Sequence, residues 1–181
     1  MPVSEQAYLR RAMQDPDGQW ELHRGAMRHK PATSFEHNDV MMDLGYRLRT
    51  QLDPERYRVR ANAGRVRRSP QNYYIPDVFV IPIELTASQR GTHQLEAYTD
   101  PLPLVVEVWS PSTGNYDVEV KLQEYQRRGD LEIRRIHPYE RTLTAWRRQP
   151  DGSYTETLYR DGRVPCASLP TVTIDLPALF T

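Results

Sequence analysis

Between Tyr73 and Lys121 the chain carries two apolar runs, each with one carboxylate inside it. The first is Tyr73-Tyr74-Ile75-Pro76-Asp77-Val78-Phe79-Val80 and the second is Leu104-Val105-Val106-Glu107-Val108-Trp109. Short apolar runs of this kind, rich in β-branched and aromatic residues, read as buried strands. An ionised carboxylate inside such a strand is costly unless something pairs with it, so two of them call for a shared explanation. Side chains alternate across a strand, which puts Ile75, Asp77 and Phe79 on one face and Val105, Glu107 and Trp109 on one face. If the strands pair in suitable register, both carboxylates open into one pocket. Ser110-Pro111-Ser112-Thr113 then turns the chain towards a helix expected over Asn115 to Arg128, with Lys121 on it and Gly129 as its stop.

Paired carboxylates are hard oxygen ligands suited to Mg²⁺ or Mn²⁺, which takes one or two of them and fills its other positions with water. Such an ion polarises a phosphoryl oxygen and lowers the pKa of a bound water. Lys121 could orient or deprotonate that water, or neutralise charge building on a phosphate. Lys30 and Lys121 are the only lysines in the sequence, all other basic side chains apart from histidine being arginine. A lysine kept in so arginine-rich a chain can serve where a compact, tunable ammonium is needed. The plainer alternative for Lys121 is a helix-surface ion pair with Asp117 at i, i+4.

The rest of the chain reads as one domain over residues 1–181. Ser4 caps a short helix over residues 4–14, and Asp15 to Gly18 breaks it. Trp20 to Gly25 and Ala26 to Lys30 form a strand pair, and a second helix runs from Phe35 to Leu52 with a Val40, Met41, Leu44, Leu48 stripe. Arg56 to Arg68 reads as a hairpin turning at Asn62-Ala63-Gly64, which crowds Arg58, Arg60, Arg65 and Arg67 onto one face. That face either contacts a phosphate backbone or is simply solvated. Glu84 to Asp100 is expected as an exposed loop, and strands follow at Leu131–Ile136, Thr142–Arg147, Tyr154–Tyr159 and Val172–Leu176.

Bulk properties exclude several classes. Lys and Arg total 24, against 24 Asp and Glu, so no global charge attracts nucleic acid. One cysteine, Cys166, rules out an internal disulfide and a cysteine-rich zinc site. No run approaches the ~20 apolar residues of a membrane span, and the N-terminus lacks signal-peptide features; a cytoplasmic protein is expected.

Pro76-Asp77, then Glu107-Val108 and a lysine, resembles the PD-(D/E)XK superfamily of metal-dependent nucleases. Trp20 to Gly25, Pro31, His37, Ile75-Pro76-Asp77-Val78, and Val105 to Thr113 followed by Asp117, Lys121, Tyr125 and Gly129 resemble its Uma-type restriction-endonuclease-like family. The likeness spans roughly residues 5–165. It implies an α+β fold with a restriction-endonuclease-like core: a mixed central sheet flanked by helices, plus additional terminal strands. It further implies Asp77, Glu107 and the Val108 carbonyl as ligands of Mg²⁺ or Mn²⁺, with Lys121 taking the role that the superfamily usually gives to a lysine at the position of Trp109. DNA is the implied partner, and a homodimer would let two sites cut two strands. The strand Glu132 to His137, with Arg134, Arg135 and His137, is more polar than in relatives.

Two auxiliary residues join the list. His37, near a helix start, could face the pocket, although a histidine there is more often exposed or capping; Glu21 could reach it from its strand. His23, His29 and His37 fit no zinc spacing. The main expectation is a DNA endonuclease. Its rivals are a non-catalytic binding module and a purely structural network pairing Asp77 or Glu107 with arginines such as Arg67.

Overall fold

The computed structural model describes residues 1–15 and 17–181, with only the backbone described at Asp117 and Val118. Pro16, within the expected break at 15–18, lies outside the described residues, as do the Asp117 side chain of the expected Asp117–Lys121 pair and the Val118 side chain of the helix stripe.

Two sheets dominate. The five-stranded one contains β1 (Trp20–His23), β2 (Ala26–His29), β4 (Arg65–Ser69), β5 (Asn72–Tyr74) and β7 (Ala97–Tyr98), in the order β2-β1-β5-β4-β7. The six-stranded one contains β3 (Tyr57–Ala61), β6 (Val78–Pro82), β8 (Leu104–Val108), β9 (Glu132–His137), β10 (Thr142–Arg148) and β11 (Tyr154–Tyr159), in the order β11-β10-β9-β8-β6-β3. A C-terminal pair, β12 (Arg163–Pro165) and β13 (Thr173–Asp175), is separate. In the larger sheet β8 and β9 are parallel, and β6 is antiparallel to β8. Helix α1 (Glu5–Gln14) is capped by Ser4, and α2 (Phe35–Gln51) by Ser34. Each cap supplies an acceptor for backbone N–H groups that a helix start leaves without one.

Val40, Met41, Leu44 and Leu48 pack α2 against Val78, Val80, Val106 and Val108 on one face of the larger sheet. Phe79, Val105, Ile133 and Trp146 point the other way, into a cluster with Tyr74 and Tyr125. This two-sided burial explains the continuous apolar runs in β6 and β8. The fold is the α+β, restriction-endonuclease-like arrangement expected, with strands added at both ends.

Two expectations fail, for one reason. The stretch Arg56 to Arg68 is not a hairpin: β3 pairs with β6, whereas β4 pairs with β5 and β7 in the other sheet. Residues 62–64 form a crossing between sheets, and Gly64 turns there at φ +74°. Arg58 and Arg60 therefore do not share a face with Arg65 and Arg67. Arg60 pairs with Glu96 at 2.9 Å, Arg67 with Glu5 at 2.9 Å, and Arg58 bonds the Pro54 carbonyl. Likewise the run Tyr73 to Val80 is not one strand. It is β5, a break over residues 75–77, and β6, crossing back between the same two sheets. Alternation reports which face a residue takes, not which strand it pairs with.

The segment 84–100 is also more ordered than a loop, with a 3-10 turn at Ile83–Gln89 and β7 parallel to β4. The helix after Thr113 has three parts: α3 (Gly114–Tyr116), a π-helical turn (Asp117–Lys121) and α4 (Leu122–Arg128), closed by Gly129 at φ +82°. A π turn widens the helix and shifts the side chains that follow, a distortion found disproportionately at functional sites. Lys121 is its last residue.

Candidate active site

The break in the chain at residues 75–77 puts Asp77 at the seam of the two sheets. The pairing of Val78 with Val106 in the neighbouring strands brings Asp77 level with Glu107. Both carboxylates are buried, at 1% and 4% exposure, and so are Glu21, Lys30, His37, Lys121 and Tyr125.

The carboxylates are held as two half-sites. In the first, Lys30 Nζ lies 2.7 Å from Asp77 Oδ1 and also donates to Asn62 Oδ1 at 2.8 Å and to the Ile75 carbonyl at 3.0 Å. Its three protons thus have three acceptors. On Asp77 Oδ2 converge His37 Nε2 at 3.1 Å and the Val108 amide at 2.7 Å. Since the carboxylate accepts, His37 carries its proton on Nε2; its Nδ1 is buried with no hydrogen-bond partner. Burial alone would raise the Asp77 carboxyl, but the charge of Lys30, the hydrogen bond and charge of His37, and the charge of Lys121 outweigh it and hold the group well below the usual carboxylate range.

In the second half-site, Lys121 Nζ lies 2.9 Å from Glu21 Oε1 and 3.3 Å from Glu107 Oε1, and the Tyr125 hydroxyl donates to Glu107 Oε1. Glu21 Oε1 also accepts the Ile75 amide at 2.8 Å. The backbone of Ile75 therefore touches both halves, its N–H donating to Glu21 and its carbonyl accepting from Lys30.

Every residue expected in the pocket is near it. Asp77, Glu107 and Lys121 converge, and the auxiliary pair, Glu21 and His37, contact them directly. Val108 takes part through its amide; its carbonyl was the atom expected. The four hairpin arginines do not come to the site as a group, and a network pairing Asp77 or Glu107 with Arg67 is replaced by lysine pairing. Sequence reasoning missed the contacts of Lys30, Asn62 and Tyr125. Lys30 had a visible signal, being one of only two lysines; both prove to be buried on these carboxylates.

Three carboxylates at one centre are the donor chemistry a divalent cation takes, while Asp77 and Glu107 are each already paired with a lysine. Glu21, Asp77 and Glu107 are three hard-oxygen carboxylates against two ammonium groups, leaving one negative charge in excess before His37 and the neighbouring Arg135 are counted. Among the described residues no three His, Cys, Asp or Glu side chains form a ready cage for an ion. The fit is with an ion held by one or two carboxylates and completed by water, as Mg²⁺ prefers. Asp77 and Glu107 are the residues that would hold it.

The family model Uma2, described as "putative restriction endonuclease", matches residues 5–177. The chain belongs to the Uma2 family. It is also similar to a solved crystal structure described as a putative nuclease belonging to DUF820 from Anabaena variabilis ATCC 29413, with TM-score 0.80 and 17% identity. That match covers 99% of this chain and 98% of the other, and at such identity it shows a shared fold. No curated protein matches the chain. Within this Uma2 fold, among the described residues, no helix is long and apolar enough to cross a membrane.

Proposed function

We propose that this Uma2 protein is a metal-dependent DNA endonuclease that hydrolyses phosphodiester bonds at the Asp77–Glu107 centre. One observation carries the reading: three buried carboxylates and both lysines of the chain meet at the seam between the sheets. Burying five charged side chains costs stability that an apolar seam would not, so a role in chemistry accounts for them better than packing does.

When bound at Asp77 and Glu107, Mg²⁺ or Mn²⁺ would polarise a phosphoryl oxygen and make a bound water more acidic. The protein's own groups do the rest. Lys30, His37 and the Val108 amide fix the orientation of the Asp77 carboxylate, as outer partners of a ligand do. Glu21 draws Lys121 to its place beside Glu107. From there its ammonium offsets negative charge building on the phosphate, and the low dielectric of the buried site strengthens that effect.

The test is purified protein with supercoiled and linear DNA, with Mg²⁺, Mn²⁺ or chelator. Cleavage should need the metal and disappear in Asp77→Asn and in Glu107→Gln, both checked for native circular dichroism. Cleavage that persists in both variants, or in chelator, overturns the proposal.

A non-catalytic binding module has two observations in its favour: both Asp77 oxygens are already hydrogen-bonded, and Trp109 occupies the superfamily's usual lysine position. Calorimetric titration with Mn²⁺ separates the two. Binding lost in Asp77→Asn and Glu107→Gln supports the nuclease, whereas no binding supports the module.

A further inference from the structure

Beside Glu107 the larger sheet carries a strip that the catalytic proposal does not use. The parallel register sets Glu107 against Arg135 and Val108 against Ile136, so Trp109 follows next to His137 on the same face. The Trp109 and His137 rings stack at 4.2 Å with 15° between their planes. Tyr139 meets them edge-on at 5.7 and 6.4 Å. Tyr139 is 50% exposed, its hydroxyl bonded to Glu36 and Ser34 at the start of α2.

Arg135 differs from the arginines around it. Arg134 and Arg147 are held by Glu132, and Arg128 by Asp130. Arg135 is half-buried next to Glu107, and among the described residues its guanidinium makes no hydrogen bond or ion pair. A guanidinium in that position is a fork for two oxygens of one phosphate. An aromatic cluster one residue further along offers faces and edges to a base.

We infer that this strip seats an unpaired nucleotide flanking the scissile bond, with its phosphate on Arg135 and its base on the Trp109–His137–Tyr139 cluster. In intact duplex both faces of each base are covered by neighbours, so the strip favours single-stranded, gapped or branched DNA over continuous duplex. The inference rests on the nuclease reading and specifies its substrate class.

The experiment is binding, not cleavage: fluorescence anisotropy of labelled single-stranded, gapped and intact duplex oligonucleotides in chelator, over a range of salt. Wild type should bind the first two more tightly than intact duplex. Trp109→Ala should lose about tenfold for single strands, the scale of one stacked base, with Trp109→Phe restoring most of it. Arg135→Gln should weaken binding to all three and flatten the salt dependence by about one ion. Tyr139→Ala, at an exposed position, provides the same comparison if Trp109→Ala does not fold. Wild type preferring intact duplex, or variants binding single strands as wild type does, overturns the inference and leaves the nuclease reading standing. Wild type binding none of the three overturns the inference as well, while the nuclease reading is decided by the cleavage test with metal.

Discussion

Lys30 Nζ and Asp77 Oδ1 lie 2.7 Å apart, and both side chains are buried. With Asn62 and the Ile75 carbonyl as further acceptors, Lys30 ties together the two crossings between the sheets. Replacing it with methionine leaves Asp77 charged and short of a partner. Breaking a buried pair in this way costs about 3–5 kcal/mol, so Lys30→Met should show that loss in urea unfolding, and Lys30→Arg, which keeps the charge, should lose less.

Stability should fall in acid through Asp77. Its carboxyl is held below the usual range in the folded state, so the native protein binds fewer protons than the unfolded chain. The stabilisation is fully present above the unfolded value, near 3.8, and is lost as pH drops below it towards the folded value. Urea midpoints measured across that range should decline more steeply for wild type than for Asp77→Asn.

Tyr125→Phe should separate positioning from charge. The change removes the hydroxyl that donates to Glu107 Oε1 and keeps the ring packed with Tyr74. A lost hydrogen bond to a buried charged group costs about 1.5–3 kcal/mol. Urea unfolding should register that loss, and DNA cleavage should decrease without disappearing.

Gly64 marks one sheet crossing and should resist substitution. A Cβ there would sit 3.0 Å from the Phe79 ring as well as at φ +74°. Gly162 has a similar φ of +82° but nothing within 4 Å of a Cβ. Gly64→Ala should therefore lower the melting temperature more than Gly162→Ala, whose cost is the ~1–2 kcal/mol of left-handed backbone alone.

Local pattern made much of this molecule legible. The cap at Ser4, the α2 stripe and the apolar runs of β6 and β8 follow from residue spacing, and two carboxylates in apolar surroundings pointed to the centre. What local pattern does not contain is partner choice. Alternating arginines from Arg58 to Arg67 look like a hairpin because each half is a strand, yet the halves belong to different sheets. For the same reason Asp77 looked embedded in a strand when it sits in the gap between two. Lys30 is 47 residues from Asp77 in sequence, and no short-range signal joins them. Its rarity was the single clue, and it had no position attached.

The backbone of Ile75 donates its N–H to Glu21 and accepts from Lys30 on its carbonyl. Glu21 belongs to the smaller sheet, Glu107 to the larger, and Ile75 to the bridge between them. With the larger sheet alone, Asp77 and Glu107 would lack Glu21 of the smaller sheet and Lys30, which follows β2. The centre is therefore complete only when both sheets are in place, and under the nuclease proposal a half-made or half-degraded copy would lack its full set of charges.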